Sequence, residues 1–116
     1  MKKEIKIGID LDGTYKRHRE FFDNLIGEKY IITGRAKKEQ KELEKQLPYP
    51  VFCTAPQELG RRDLDGDEVV ATLETLWEEK ARVITELEID VYFDDDLRAL
   101  RRIRDKNKEV ALFLVY

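Results

Sequence analysis

Ile7-Gly8-Ile9-Asp10-Leu11-Asp12-Gly13-Thr14 decides how this chain is read. Apolar β-branched residues alternate into it from Ile5, so residues 3–10 are predicted as a strand. The strand runs straight into two carboxylates, a glycine and a hydroxyl. An acidic pair at the end of a buried strand is costly unless something cationic compensates it. Gly13 predicts that the chain turns here, which lets Asp10 and Asp12 converge on one small site. Such a site suits a divalent metal, a nucleophile and a proton donor.

Outward from this stretch, strand and helix patterns alternate. Phe21, Phe22, Leu25 and Ile26 lie at helical spacing within residues 16–27, which end at Gly27. Tyr30-Ile31-Ile32 reads as a buried second strand closed by Thr33-Gly34. Residues 36–47 are rich in Lys, Glu, Gln and Leu, a helix stopped by Pro48. Val51-Phe52-Cys53-Thr54 is a third strand between Pro50 and Pro56. Residues 55–66 are polar and hold Pro56, Gly60 and Gly66, so they read as a loop. From Asp67 a helical face follows through Val69, Val70, Leu73, Leu76, Trp77, Ala81, Ile84 and Leu87. Ile89 to Phe93 is a fourth strand; Leu97, Leu100 and Ile103 mark another helix; Val110 to Val115 is a fifth strand.

This order calls for an α/β fold, a parallel sheet covered by helices. In such sheets ligands bind at the carboxyl ends of the strands, where the strand order switches. Asp10 and Asp12, Thr33, and Asp94, Asp95 and Asp96 all fall at that edge. Several carboxylates repel one another unless a cation sits among them, and hard oxygen ligands favour Mg2+. Asp is an established nucleophile toward phosphoryl groups. A neighbouring carboxylic acid can protonate a leaving oxygen and then activate water. A hydroxyl, backbone amides and an ammonium, here Thr33 and Lys80, can hold phosphoryl oxygens.

Composition narrows the options. The chain has 116 residues, 41% of them charged, with a net charge of −3. One domain over residues 1–116 is expected. No basic field draws the chain to nucleic acid or to a membrane surface. A single cysteine, Cys53, makes no internal disulfide framework. No apolar run is long enough for a membrane span, and the N-terminus lacks the apolar core of a signal peptide, so a cytoplasmic, soluble protein is expected. The oligomeric state is left open, a homo-oligomer included.

The motifs also carry a resemblance. Asp10-Leu11-Asp12-Gly13-Thr14 after a strand resembles the first motif of the haloacid dehalogenase (HAD) superfamily of phosphohydrolases. Tyr30-Ile31-Ile32-Thr33-Gly34-Arg35 resembles the second, Lys80 the third, and Val91-Tyr92-Phe93-Asp94-Asp95 the fourth. The resemblance runs from residue 5 to about residue 115. It implies a Rossmann-like three-layer sandwich with a five-stranded parallel sheet of order 5-4-1-2-3. It implies a Mg2+-dependent phosphomonoesterase working through an aspartyl-phosphate. Asp10 would be nucleophile and metal ligand. Asp12 would be general acid/base, with its backbone carbonyl on the metal. Thr33, Gly34 and Lys80 would bind the phosphoryl group. Asp95, then Asp94, would complete the metal site, with Asp96 an alternative register. The short spacing between Thr14 and the second strand implies a capless form. Capless members often act on large substrates or borrow a lid from another subunit.

Other readings stand beside these. A receiver-type signalling domain also gathers acids, a Thr and a Lys at one sheet edge, but its phosphorylated Asp follows the third strand, which here ends in Cys53-Thr54. A degenerate member serving as a binding or assembly module is a further alternative. Lys80, in a Glu-rich helix, has a second reading as a surface lysine paired with Glu neighbours. One of Asp94, Asp95 and Asp96 is expected to cap the next helix. Asp63-Leu64-Asp65-Gly66-Asp67 repeats the acidic string without a preceding strand and reads as loop and helix start. Lys16-Arg17-His18-Arg19 and the arginines at 98, 101, 102 and 104 read as solvated helix surface, Cys53 as a buried strand residue, and Trp77 as core or interface.

Overall fold

Alternating apolar strands and amphipathic helices fold here into a parallel α/β sheet. The computed structural model describes residues 4–55 and 66–116, with side chains from residue 73 onward in the second segment. The strands are β1 (Lys6–Ile9), β2 (Glu28–Ala36), β3 (Val51–Ala55), β4 (Val91–Asp94) and β5 (Ala111–Leu114). The helices are α1 (Arg19–Asp23), α2 (Gln40–Gln46), α3 (Gly66–Glu86) and α4 (Leu97–Lys106). The sheet order is β3-β2-β1-β4-β5 with every pair parallel. This is the expected order read from its other edge. The chain moves outward from β1 to β3, returns through α3, and continues outward on the other side from β4 to β5. The switch point therefore lies between β1 and β4.

Successive strand residues face opposite sides, and each side has its own core. One joins Ile7, Ile9 and Ile31 to Phe22 of α1 and Leu43 of α2. The other joins Ile32 and Tyr92 to Ala81 and Ile84 of α3 and Leu100 and Ile103 of α4. The result is three layers, helix-sheet-helix. Among the described residues no helix is long and apolar enough to cross a membrane.

Three local expectations are corrected. The second strand does not close at Thr33-Gly34 but continues to Ala36. Thr33 pairs with Cys53, and the register then shifts before Ala36 pairs with Ala55. A bulge of this kind re-aims side chains next to a strand end. The helix expected over residues 16–27 shrinks to Arg19–Asp23, because the chain before it forms a wide turn over Leu11–Tyr15. The helix expected over 36–47 begins as a 3-10 turn at Lys37–Glu39. The remaining strand ends differ from expectation by one to three residues. Residues 56–65 of the expected loop, with Asp63-Leu64-Asp65, lie outside the described residues.

Candidate functional site

β1 ends at Ile9, but the chain stays on the sheet for one more residue. The Asp10 N–H donates to the Phe93 carbonyl at 2.9 Å. This holds Asp10 beside Asp94, the last residue of β4, at the switch point of the sheet. The Leu11–Tyr15 turn then closes through i to i+5 bonds: the Tyr15 N–H donates to Asp10 O at 3.0 Å and the Lys16 N–H to Leu11 O at 3.1 Å. Gly13 takes φ +78°, and a Cβ there would overlap the Asp95 carboxylate. Both facts demand glycine. Gly13→Ala is expected to destabilise the fold by about 1–2 kcal/mol, read from chemical denaturation, because a left-handed conformation alone costs an L-residue about that much.

At the floor of the cleft, Lys80 of α3 bridges two buried carboxylates. Its Nζ lies 3.0 Å from Asp10 Oδ1 and 2.8 Å from Asp94 Oδ2. Lys80 and Asp10 are each 6% exposed and Asp94 1%, so these are interior charges. Burial pulls the ammonium toward neutrality, but the attraction of Asp10 and Asp94 outweighs it and Lys80 titrates above its usual range. For Asp10 burial wins. Desolvation, opposed by Lys80 and reinforced by Asp94, raises its carboxyl to about 7.

Asp94 is saturated. Oδ2 also accepts from the Tyr92 hydroxyl at 2.7 Å, and Oδ1 accepts from the Asp96 N–H at 3.0 Å. Asp95 is exposed, and its Oδ1 accepts from the Thr14 hydroxyl at 3.5 Å. The same hydroxyl is 3.3 Å from Asp10 Oδ2. Asp96 is the helix cap: Oδ1 accepts from the Arg98 N–H at 2.9 Å.

Asp12 goes elsewhere. Its side chain is 53% exposed at the cleft rim and takes a bidentate pair of bonds from Arg35, both 2.8 Å, with Lys16 at 3.6 Å. The Arg35 hydrogen bonds hold its carboxyl below the usual range. Arg35 also reaches Glu39 at 3.0 Å. Thr33 is buried. Its hydroxyl accepts from the Arg35 N–H at 3.2 Å, which leaves its proton available to donate.

All the residues singled out by the sequence therefore meet. Asp10, Asp12, Thr33, Gly34, Lys80, Asp94 and Asp95 line one cleft of about 490 Å³. The surface reading of Lys80 is overturned: Lys80 lies on the same stripe of α3 as the buried Leu76 and Ile84, and its partners are aspartates of the sheet. Three residues carry more than the sequence reading gave them. Arg35 clamps Asp12, Tyr92 fixes Asp94, and Thr14 spans Asp10 and Asp95. His18 bonds the Tyr116 carbonyl at 2.7 Å and takes no part in the cleft.

Asp10, Asp94 and Asp95 each offer an oxygen, and these atoms lie within 4.8 Å of one another. Three carboxylate oxygens this close fit a hard divalent cation better than a soft one. Compared with family models, with curated proteins and with solved structures, the chain finds no match.

Proposed function

We propose that the chain is a Mg2+-dependent phosphomonoesterase, a minimal capless form of the type found in the haloacid dehalogenase superfamily. One observation carries the reading. Asp10, Asp94 and Asp95 bring three carboxylate oxygens within 4.8 Å of one another, the Lys80 ammonium pairs with Asp10 and Asp94, and Thr33 lines the same cleft. A purely structural site would neutralise buried carboxylates one for one. Here acids are in excess, and the exposed Asp95 remains open to a cation.

Asp10 and Asp95, with Asp94 through Oδ1, would hold Mg2+. When bound, it would neutralise charge shared by these carboxylates and the phosphoryl oxygens. Thr33 and Lys80 hold and orient the phosphoryl group. A carboxylate oxygen of Asp10 attacks phosphorus. The bond to the leaving oxygen breaks, and that oxygen takes a proton from Asp12. Water then attacks the phosphorus of the acyl phosphate, giving its proton to Asp12, and Asp10 leaves as a carboxylate. In the resting arrangement Asp12 is clamped by Arg35 as a carboxylate. It is ready to act as a base, and it must release the guanidinium and take up a proton from solvent before it can act as an acid. The direct experiment is hydrolysis of a panel of phosphate esters with and without Mg2+, run beside Asp10→Asn. Metal-dependent turnover that vanishes in the variant supports the reading, and turnover unchanged in the variant refutes it.

The raised carboxyl of Asp10 gives a second expectation. Between about pH 4 and about pH 7 the metal-free native state holds a proton on Asp10 that the unfolded chain has released. On this group's account stability therefore falls as pH rises through that window. A bound cation compensates the ionised form and competes with the proton. Millimolar Mg2+ is expected to raise the melting temperature more at about pH 8 than at about pH 5, as thermal melts would show. An equal or reversed increment would contradict Mg2+ binding at Asp10.

A further inference from the structure

The floor of the cleft accounts for a phosphoryl group and a cation, but the cleft is much larger than that. Its volume of about 490 Å³ falls among sites for whole small molecules, about 300–1,000 Å³. What fills the rest is set by α3. Lys80, Trp77 and Leu73 are spaced by three and four residues and all line the cleft. With a rise of about 1.5 Å per residue, Trp77 stands about 4.5 Å and Leu73 about 10.5 Å along the helix from Lys80.

The wall above the anionic floor is therefore an indole followed by a leucine. Trp77 is half-buried, and the Arg98 guanidinium, 5.3 Å from the ring centroid, packs over it. Asp96 in turn holds Arg98 at 3.2 Å. Across the cleft stand Arg35, held by Asp12 and Glu39, and the exposed Lys38. The expectation that Trp77 is a core residue is thereby corrected: it is half-buried and lines the cleft.

We propose that the substrate's leaving group is a nucleoside: the cleft takes a nucleoside monophosphate, with its phosphoryl group at Asp10 and Lys80 and its base against Trp77 and Leu73. This rests on the phosphohydrolase reading. An apolar, aromatic wall rewards a flat ring, and base–aromatic stacking is tolerant of which base is present. The ribose spaces the base away from phosphorus, which suits a wall running from Trp77 on to Leu73. A phenolic ester would leave the outer part unfilled. A nucleic-acid strand is a poorer fit, because carboxylates outnumber cations along the cleft and the net charge is −3.

The test is binding, which needs no turnover. Asp10→Asn with Mg2+ is titrated calorimetrically with adenosine 5′-monophosphate, ribose 5-phosphate, phenyl phosphate and inorganic phosphate. Trp77, the only tryptophan, reports ring contact by its fluorescence. The nucleotide is expected to bind about tenfold tighter than ribose 5-phosphate. Adding Trp77→Leu is expected to collapse that ratio, and Trp77→Phe to keep most of it, so a general loss of folding is distinguishable from a lost ring contact. Ribose 5-phosphate binding as tightly as the nucleotide, phenyl phosphate binding more tightly, or a ratio indifferent to Trp77→Leu would overturn the proposal and leave the phosphohydrolase reading standing. Failure of all four ligands to bind would overturn both.

Discussion

Replacing Lys80 by methionine is expected to destabilise the protein by about 3–5 kcal/mol, the usual cost of stranding a buried charge. Methionine keeps the length and the apolar stem of lysine, so the packing of α3 against the sheet is nearly preserved. The ammonium is what goes. Asp10 and Asp94 then face each other in the interior without the group that touches both, at 3.0 and 2.8 Å. Asp10 can partly escape by staying protonated, since its carboxyl already titrates at about 7. The loss should therefore be larger at about pH 8 than at about pH 5. Neutralising the acids as well, in Lys80→Met with Asp10→Asn and Asp94→Asn, should restore much of the stability, because the cost lies in unpaired charge rather than in lost attraction. Denaturant titrations of the single and triple variants read this directly. A single variant as stable as the parent would mean that the carboxylates are not ionised together in the native state.

The second large effect is on chemistry. Asp10→Asn is expected to lower metal-dependent phosphomonoester hydrolysis at least about a thousandfold, since losing a nucleophile removes the covalent route itself. The asparagine amide is nearly isosteric and can still accept from the Lys80 ammonium through its carbonyl oxygen. Folding should survive, because Asp94 still pairs with the Lys80 ammonium. Loss of activity with a retained melting temperature separates a chemical role from a structural one. Steady-state rates beside thermal melts give both quantities from one preparation.

The architecture was legible because strand and helix periods alternate without ambiguity, and because an acidic residue follows β1 and another ends β4. The strand order, and with it the switch point between them, came only with the family resemblance. The capping role within Asp94-Asp95-Asp96 was legible as a type but not as a residue, since the register at the end of β4 is set by pairing with β1 and β5. Lys80 carried its own signal. It stands four residues from both Leu76 and Ile84, on a stripe that is otherwise apolar, and a lysine there must either leave the stripe or find buried acids.

Arg35 was harder to find. Its position depends on β2 continuing past Gly34, and that continuation is decided by pairing with β3 and a register shift, neither of which is local in sequence. Tyr92 looked like one more strand residue, but it lies two positions before Asp94 and so on the same face, which brings its hydroxyl to the carboxylate. The burial of Asp10 and the exposure of Asp12 also escaped the sequence. Their spacing is local, but Asp10 is held in by the sheet and Lys80, whereas Asp12 is drawn out by Arg35.

The central claim is that Asp10 becomes covalently phosphorylated. The protein would be mixed with a hydrolysed phosphate ester and Mg2+, quenched in acid during turnover, reduced with borohydride and mapped by peptide mass spectrometry. Borohydride converts an acyl phosphate to an alcohol, so the account predicts homoserine at position 10 and unaltered aspartate at positions 12, 94 and 95. Turnover that leaves Asp10 unmodified, or that marks another of these residues, would contradict it.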